Sequence, residues 1–329
     1  MKYAREILAG ILKYSLEGSI MKFLTYQSCK LETRAGVLSK DETKVIDLTA
    51  LLKASLRIED IGALLKRYED AAEVVRRALD STADLDAISV DLERVKLCAP
   101  ILCPPVIGDF CAYESHVADS GNTNGGGVPA SWYEVPLYYY QNPTVVRGPE
   151  ATIYRKKGST TLDFEAEVAF VVGKPGKDIP ADEKAIDHIF GFTIMNDWSD
   201  RQRCNYEFQY LGLHHGKDTA TGLGPYIVTV DEVADCIKDG KLDLKVDGWL
   251  DDEHLTDSRT GTIYWDLPHM LAYASEDTEL VPGQVMGFGT VGTGCLYEKP
   301  DQHAYVQDGQ TYTITTERLG TLRMHVGKK

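Results

Sequence analysis

The sequence predicts an α+β protein in which β structure dominates. Five segments after residue 100 show the continuous or alternating apolar pattern of strands: 164–173, 190–198, 225–233, 242–250 and 284–292. Helical patterns in the same region are short and few, at 182–190 and 266–274. We therefore expect a mostly β region after residue 100, with few helices packed beside it.

The first hundred residues have a different pattern. Residues 1–20 carry apolar side chains at helical spacing, and we interpret them as a helical extension used for packing or for a dimer contact. Residues 21–55 alternate apolar and polar, which predicts a small β unit, and the apolar stripe over 57–80 predicts one helix.

The segment Leu97–Pro105 ends in two neighbouring prolines, Pro104 and Pro105, and we interpret this segment as a linker. The predicted organisation has three parts: a helical extension at 1–20, a small N-terminal α/β domain at 21–100 and a larger domain at 101–329.

Charge and composition exclude several classes of protein. The chain has 35 Lys and Arg against 50 Asp and Glu, a net charge of −15, which argues against nucleic acid or an anionic membrane surface as partner. The sequence contains no run of 18 apolar residues, so it predicts no transmembrane helix. The seven cysteines are scattered without a CxxC pair, as expected for free thiols. Since no signal-peptide pattern is present either, we expect a cytoplasmic protein.

Acidic residues form the main chemical signal. Glu165 and Glu167 are two apart in a predicted strand, so both side chains lie on one face, where they repel each other unless a cation is bound. Asp197 at the end of a second apolar segment supplies a third oxygen ligand, and Asp109 a possible fourth. An all-oxygen set of this kind favours Mg²⁺, Mn²⁺ or Ca²⁺ over zinc.

A second signal indicates acid–base chemistry. His116 and Asp119 are three apart and share a face if the segment is helical, so Asp119 would orient the imidazole as a general base. Glu114 is an alternative partner for His116. The Gly- and Asn-rich segment 121–127 follows directly and is interpreted as a surface loop or the hinge of a lid. Lys217, in a Gly-containing turn, is a candidate to neutralise a substrate carboxylate.

The order of these motifs resembles the fumarylacetoacetate hydrolase family. The similar elements are Asp109 and His116 as D-x6-H, then ExE at 165–167, MND at 195–197, GKD at 216–218, LGP at 223–225 and GFGT at 287–290. The resemblance implies a mixed β-roll or sandwich catalytic domain, usually dimeric, behind a smaller N-terminal domain. The chain departs from the family in reading GTVGTGC at 289–295, and in carrying Asp119 where smaller bacterial members often have Glu.

The resemblance also implies roles for individual residues. Asp109, Glu165, Glu167 and Asp197 would hold the divalent cation, His116 would be catalytic, and Lys217 and Thr290 would meet the substrate. Tyr139 and Arg201 fall near positions that line the family's pocket.

The implied reaction is hydrolysis of a C–C bond in a β-diketo or 2,4-dioxo acid, with a water activated by His116 and an enolate as leaving group. Decarboxylation of an oxaloacetate-like acid is the first alternative, and hydratase or isomerase activity is another. A non-catalytic metal-binding dimer is the alternative from a different class. We expect a homodimer, and for the enzymatic alternatives a small oxo acid as substrate.

Overall fold

The computed structural model describes residues 21–123 and 126–328. The predicted helix at 1–20 therefore lies outside the described residues. The α-helices are α1 (Leu48–Leu51), α2 (Ile61–Arg67), α3 (Ala71–Ser81), α4 (Glu114–Thr123), α5 (Arg201–Phe208) and α6 (Leu267–Ser275). None of the helices in the described ranges has the length and apolar character that a membrane span needs.

Strands make up most of the regular structure, as the sequence predicts. They are β1 (Lys22–Gln27), β2 (Thr33–Leu38), β3 (Lys44–Asp47), β4 (Ser89–Asp91), β5 (Lys96–Cys98), β6 (Ile107–Phe110), β7 (Tyr138–Gln141), β8 (Val146–Arg147), β9 (Thr152–Ile153), β10 (Leu162–Asp163), β11 (Ala166–Val172), β12 (Ile189–Asp200), β13 (Ala220–Thr229), β14 (Ile237–Lys238), β15 (Lys241–Leu242), β16 (Lys245–Leu250), β17 (Glu253–Arg259), β18 (Val285–Gly287), β19 (Thr311–Thr316) and β20 (Gly320–Val326).

One large mixed sheet forms the centre of the fold. Its strand order is β4-β3-β2-β1-β13-β12-β11-β18-β6-β7, with β5, β8 and β10 pairing beside this path. Every residue of β11 is buried, because strands cover both of its edges and apolar cores cover both of its faces. β12 and β18 pair antiparallel to β11, and β6 pairs parallel to β18. This pairing places β6, β11 and β12 among four consecutive strands of the sheet.

A second sheet packs over the central sheet as a sandwich. Its strand order is β17-β16-β19-β20-β9. The alternating burial of β16 and β19 shows one face turned inward and one toward solvent, as expected for an antiparallel sheet that covers a core. Tyr312 and Met324 from this sheet share a core with Phe170 and Trp198 of the central sheet. The predicted mostly β sandwich is therefore confirmed.

Residues 21–100 continue the central sheet. β1 pairs antiparallel with β13, and Phe23 packs in the same core as Val171 and Phe190 from the larger part of the chain. The segments on either side of residue 100 thus share both a sheet and a core. Independent folding of the two predicted domains stays a prediction.

Two helix predictions need correction. The stripe over 57–80 folds as two helices, because the backbone at Tyr68 is extended (φ −131°, ψ 113°) and ends α2. Its apolar positions are buried or half-buried nevertheless, since both helices pack on the same core. The segment 182–190 forms only a 3-10 helix at Glu183–His188 before β12 begins. The helix predicted at 266–274 is confirmed as α6.

Candidate active site

Three carboxylates meet at one end of the central sheet. One oxygen from each of Asp109, Glu165 and Glu167 lies within 4.8 Å of the others, and all three side chains are buried. Strand alternation puts Glu165 and Glu167 on one face, as the sequence predicts. Ala169 and Val171 follow on that same face and pack in the core beneath residues 21–100. The two glutamates are therefore enclosed by the same packing that buries β11.

Gly287 allows Asp109 and Glu167 to approach each other. It lies in β18, opposite Asp109 in β6 and opposite Ala169 in β11. A β-carbon at position 287 would lie 2.4 Å from Asp109 Oδ1 and 2.9 Å from Glu167 Oε2. Any larger residue would displace one of these oxygens. The first glycine of the GFGT motif thus provides space for the acidic cluster.

Asp197 joins the cluster through Tyr139 and Lys217. The Tyr139 hydroxyl lies 2.9 Å from Asp109 Oδ2 and 2.5 Å from Asp197 Oδ2. Lys217 Nζ donates to Asp197 Oδ2 and to Glu165 Oε2, both at 2.5 Å. All four acids proposed as metal ligands therefore lie in one connected group.

The unpaired oxygens of the group fit a divalent cation. Asp109 Oδ1, Glu167 Oε2 and Asp197 Oδ1 are buried and have no hydrogen-bond partner among the described residues. Leaving such atoms without a partner costs about 1–3 kcal/mol each, and more when they are charged. A hard cation among Asp109, Glu165 and Glu167 would give such oxygens a partner, and all-oxygen ligation suits Mg²⁺, Mn²⁺ or Ca²⁺. The donor set does not choose among these ions.

Burial and mutual repulsion set the charge state of the metal-free cluster. Burial and the charge of Asp197 raise the pKa of Asp109 to about 8. Burial, with the charges of Asp109 and Glu165, raises the pKa of Glu167 well above its ordinary value. Burial also acts to raise the pKa of Glu165, but Lys217 and Arg201 outweigh it and hold that pKa below its ordinary value. Without a cation, protons thus reside on the Asp109 and Glu167 side of the cluster.

These shifts predict how pH affects the metal-free protein. Because the folded-state pKa of Asp109 is raised, the folded chain holds a proton that the unfolded chain has lost by pH 6, and stability falls as pH rises toward 8. The expected loss is at most about 1.4 kcal/mol per pH unit for each such group. Because the pKa of Glu165 is lowered, the stability that it contributes is fully present above about pH 4.5 and is lost as pH falls below that value, so it adds no slope between pH 6 and pH 8.

Thermal melts at pH 6 and pH 8, with EDTA or with excess Mg²⁺, test this prediction. The gain from Mg²⁺ should be larger at pH 8. In the D109N variant, the stability of the metal-free protein should fall less steeply between pH 6 and pH 8, because the contribution of Asp109 is lost. An equal Mg²⁺ gain at both pH values would contradict the prediction.

Two buried cations neutralise part of this charge. Lys217 and Arg201 are 5% and 6% exposed. Arg201 Nη1 donates to Glu165 Oε1 at 2.6 Å, and its Nε donates to Asp163 Oδ2 at 2.8 Å. Arg201 thus contacts a proposed metal ligand directly, and its proposed contact with substrate stays a prediction.

Asp163 is a site residue that the sequence reasoning missed. It is fully buried at the end of β10. Its Oδ1 accepts from the backbone N–H of Leu296 at 3.0 Å, and its Oδ2 accepts from the N–H of Tyr297 at 3.0 Å. One carboxylate therefore holds both Arg201 and the 3-10 turn Leu296–Glu298. Its position two residues before Glu165, in the pattern DxExE, is the signal that would have identified it.

Replacing Asp163 with asparagine (D163N) should lower kcat about 10- to 100-fold, the usual range for residues that orient metal ligands and catalytic groups. The amide can no longer accept all of these N–H donors, so both Arg201 and the turn shift. Steady-state kinetics with Mn²⁺ titrations measure the effect. D200N is the matched control, because Asp200 is a buried acid at the end of the neighbouring strand β12. A D163N enzyme with full kcat and full Mn²⁺ affinity would exclude this role.

His116 lies on α4 beside a different acid from the ones proposed. Its Nδ1 is 2.7 Å from Oε1 of Glu298, whose side chain is completely buried. The sequence proposed Asp119, or else Glu114, as the acid that orients His116; the carboxylate at Nδ1 is Glu298 instead. Glu114 is exposed and accepts from the Tyr133 hydroxyl at 2.6 Å. Asp119 is half-buried further along α4.

Glu298 is positioned by the turn that carries it. Its Oε2 accepts from the backbone N–H of Thr293 at 2.6 Å, which leaves Oε1 for His116. The turn is in turn held by Asp163. Since 182 residues separate Glu298 from His116, no local sequence pattern links the two.

Thr290 lies at the edge of the acidic cluster. Its Oγ1 donates to Glu167 Oε1 at 3.3 Å. The preceding Gly289 has φ +93°, and a β-carbon there would lie 2.4 Å from the Phe110 carbonyl oxygen. Glycine is therefore required at 289 to place Thr290. The proposed contact between Thr290 and substrate stays a prediction.

Comparison with known proteins identifies the family of this chain. Residues 105–327 match the family model described as fumarylacetoacetate (FAA) hydrolase C-terminal. The chain is 31% identical over 268 residues to Protein Rv2993c of Mycobacterium tuberculosis, covering 82% of this chain and 92% of that protein. It is 29% identical over 308 residues to oxaloacetate tautomerase fahd2, mitochondrial, of Xenopus laevis, covering 92% of this chain and 89% of that protein.

The fold is also similar to that of a solved enzyme. The crystal structure of maleylpyruvate hydrolase from Sphingobium sp. SYK-6, in complex with manganese(II) ion and pyruvate, matches with a TM-score of 0.68 at 22% identity, covering 94% of this chain and 100% of that chain. The family model alone spans more than half of the chain. This chain therefore belongs to the fumarylacetoacetate hydrolase family.

Proposed function

We propose that this protein is a divalent-metal-dependent hydrolase that cleaves a C–C bond in a 2,4-dioxo acid. The observation that carries the proposal is the pair of His116 with the buried carboxylate of Glu298, 2.7 Å apart. An imidazole oriented by a carboxylate is the usual arrangement of a general base. The manganese ion and pyruvate bound to the structurally similar maleylpyruvate hydrolase support a metal-dependent reaction on a 2-oxo acid.

The metal would be held by Asp109, Glu165, Glu167 and Asp197. When bound, a divalent cation supplies Lewis acidity toward the oxygens of a dioxo acid and favours its enolate form. Mg²⁺ and Mn²⁺ are the proposed ions, with Ca²⁺ as a further possibility.

His116 and Glu298 would activate the attacking water. With Nδ1 facing Glu298, the other ring nitrogen, Nε2, remains to take a proton from water. The water oxygen forms a bond to the carbonyl carbon, and the bond between that carbon and the neighbouring carbon breaks. The electron pair leaves with the 2-oxo acid fragment as an enolate, and the proton on His116 then passes to that fragment's carbon. The products are a carboxylic acid and a 2-oxo acid, so atoms and charges balance.

Lys217 is suited to stabilise the enolate. Its ammonium group has three N–H donors, and the described contacts with Glu165 and Asp197 use two of them. Burial acts to lower the pKa of Lys217, but Asp197 and Glu165 outweigh it and hold that pKa well above its ordinary value. Lys217 therefore stays charged, and its third N–H is available to a substrate oxygen. Placing charge opposite a developing enolate is usually the largest catalytic contribution.

The first experiment is a substrate panel. Acylpyruvates, fumarylpyruvate-like acids and oxaloacetate are incubated with Mg²⁺ or Mn²⁺ and again with EDTA, and enol absorbance and products are followed. Metal-dependent cleavage of an acylpyruvate supports the hydrolase. Loss of CO₂ from oxaloacetate alone would instead identify the decarboxylase alternative. Full activity in EDTA would contradict the role given to the acidic cluster.

Keto–enol tautomerisation of oxaloacetate is the second candidate function. The similarity to the Xenopus laevis oxaloacetate tautomerase over 92% of this chain favours it. This reaction also needs a base to move a proton between oxygen and carbon, but it breaks no C–C bond. The two candidates separate cleanly, because a tautomerase changes the enol absorbance of oxaloacetate without releasing pyruvate or a carboxylic acid. A homodimer in the cytoplasm is proposed for either activity, and light scattering measures the assembly.

A further inference from the structure

A second group of metal-ligating side chains lies beside the acidic cluster. Donor atoms of His116, Cys295 and Glu298 all lie within 4.8 Å of one another. Cys295 Sγ is 3.9 Å from Nδ1 of His116. This is the same ring nitrogen that faces Glu298. Cys295 is 5% exposed, and the Glu298 side chain is completely buried, whereas the His116 side chain keeps 12% of its surface in solvent.

We propose that this group is a separate binding site for a thiophilic divalent cation of the zinc type, and that an ion bound there switches the enzyme off. The chemistry of the donors carries the distinction. Thiolate, imidazole and carboxylate are the three protein ligands of zinc, whereas Mg²⁺ binds oxygen and rarely sulfur. The two neighbouring sites would therefore sort metals by ligand type, with hard ions in the acidic cluster and zinc-like ions at Cys295.

The distances suit a tetrahedral ion after a small adjustment. With bonds of about 2.3 Å to sulfur and about 2.0 Å to nitrogen, two ligands of a tetrahedral zinc ion lie about 3.5 Å apart. The Cys295–His116 distance of 3.9 Å is close to this value. The His116–Glu298 pair at 2.7 Å must open by less than 1 Å as the ion replaces their hydrogen bond. The backbone N–H of Thr293 keeps holding the other oxygen of Glu298.

Binding would proceed with simple proton balance. The ion replaces the proton of the Cys295 thiol, which passes to solvent. The ring proton of His116 moves from Nδ1 to Nε2 through solvent, so that Nδ1 gives its lone pair to the ion. Burial raises the pKa of Cys295, so the thiol keeps its proton until an ion arrives. No oxidation or reduction is involved. The fourth position of the ion remains for water.

Inhibition follows because the ion occupies the base. A His116 nitrogen bound to zinc and a Glu298 that ligates the ion can no longer act together on water. The binding of the ion does not depend on the proposed function, but its effect on turnover does. The two readouts below are therefore independent.

Cadmium is the direct probe, because Cd²⁺ bound to thiolate absorbs in the near ultraviolet. The protein carries C29S and C103S, which remove the two exposed thiols, and excess Mg²⁺ fills the acidic cluster. Titration with Cd²⁺ should give one thiolate-ligated ion per chain. C295S should abolish the band, and H116Q should weaken Cd²⁺ binding at least tenfold. C204S is the matched control, since Cys204 is also 5% exposed but lies outside the group.

Zinc inhibition supplies the second readout. In a Mg²⁺-loaded enzyme, the Zn²⁺ concentration for half-inhibition should rise at least tenfold in C295S and stay unchanged in C204S, each normalised to its own zinc-free rate. A Cd²⁺ band that survives C295S, or one that C204S abolishes, would overturn the proposed site. A Cd²⁺ band that needs Cys295 in a protein inactive on every substrate would support the site and reject the proposed function. If the Cd²⁺ band needs Cys295 but C295S and the enzyme with Cys295 intact are half-inhibited at the same Zn²⁺ concentration, the proposed switch is rejected.

Discussion

Replacing Glu298 with glutamine (E298Q) is expected to lower kcat for acylpyruvate cleavage about 10²- to 10⁴-fold, the range that general-base catalysis contributes. The amide keeps nearly the same shape but cannot balance the positive charge that His116 acquires on taking a proton. It also presents an N–H where Oε2 now accepts from Thr293. Since the described contacts of Glu298 include none of the four acids proposed as metal ligands, KM and Mn²⁺ affinity should change little. Steady-state kinetics and calorimetric Mn²⁺ titration measure the two quantities separately.

E114Q is the control for this experiment. Glu114 lies on the same helix as His116 and was an alternative partner for it, yet it is exposed and contacts Tyr133. Its replacement should leave kcat within about twofold. If E114Q or D119N lowers kcat as far as E298Q does, the assignment of Glu298 as the orienting acid is wrong. The combination E298Q and H116Q should be no worse than H116Q alone, because residues that act as a unit are not additive.

Replacing Glu167 with glutamine (E167Q) should change affinity and stability in opposite directions. Mn²⁺ affinity should fall by more than the 10- to 100-fold typical of residues that only orient metal ligands, because a direct oxygen ligand and a negative charge are lost. The metal-free variant, in contrast, should melt at a higher temperature than the metal-free wild type at pH 8. Glu167 is fully buried beside Asp109 and Glu165. Its burial, together with the negative charges of these two neighbours, raises the pKa of Glu167 well above its ordinary value. At pH 8 the unfolded chain carries Glu167 ionised, so folding without a cation must protonate this carboxylate, and the variant removes that cost.

Thermal melts with EDTA and with excess Mn²⁺ test both halves of this prediction. E183Q is the matched control, since Glu183 is exposed at the surface and has the same change of charge. It should keep the wild-type melting temperature and the wild-type response to Mn²⁺. An E167Q protein that gains as much stability from Mn²⁺ as the wild type would show that Glu167 is not a ligand. One that melts lower without metal would show that the cluster is not strained by its own charge.

Much of the acidic cluster could be predicted because its signals are local. Glu165 and Glu167 are two residues apart in an apolar strand, so strand alternation places them on one face whatever the position of that strand in the fold. Asp109 and Asp197 each belong to buried strands, and their order along the chain matched a known family. The structure brings all four together through the pairing of β6, β18, β11 and β12.

Two local patterns were incomplete for a common reason. The helical stripe at 57–80 contains the side chains that pack on the core, but the backbone is extended at Tyr68 and two short helices form in place of one. Helical spacing offers Asp119 or Glu114 as the partner of His116, but the carboxylate at Nδ1 is that of Glu298, from a distant segment. In both cases a local pattern was overruled by a contact between distant segments.

The sequence by itself determined the mostly β class, the face shared by Glu165 and Glu167, and the group of acids suited to a hard cation, because strand periodicity and ligand chemistry depend only on neighbouring residues. Only the tertiary structure decided that the carboxylate of Glu298 lies at Nδ1 of His116, that Asp163 contacts both Arg201 and the turn of Glu298, and that Cys295 lies beside His116. These contacts join segments separated by 38 to 182 residues. Their partners are chosen by sheet order and by the need to pair every buried charge, and neither is written in a local pattern.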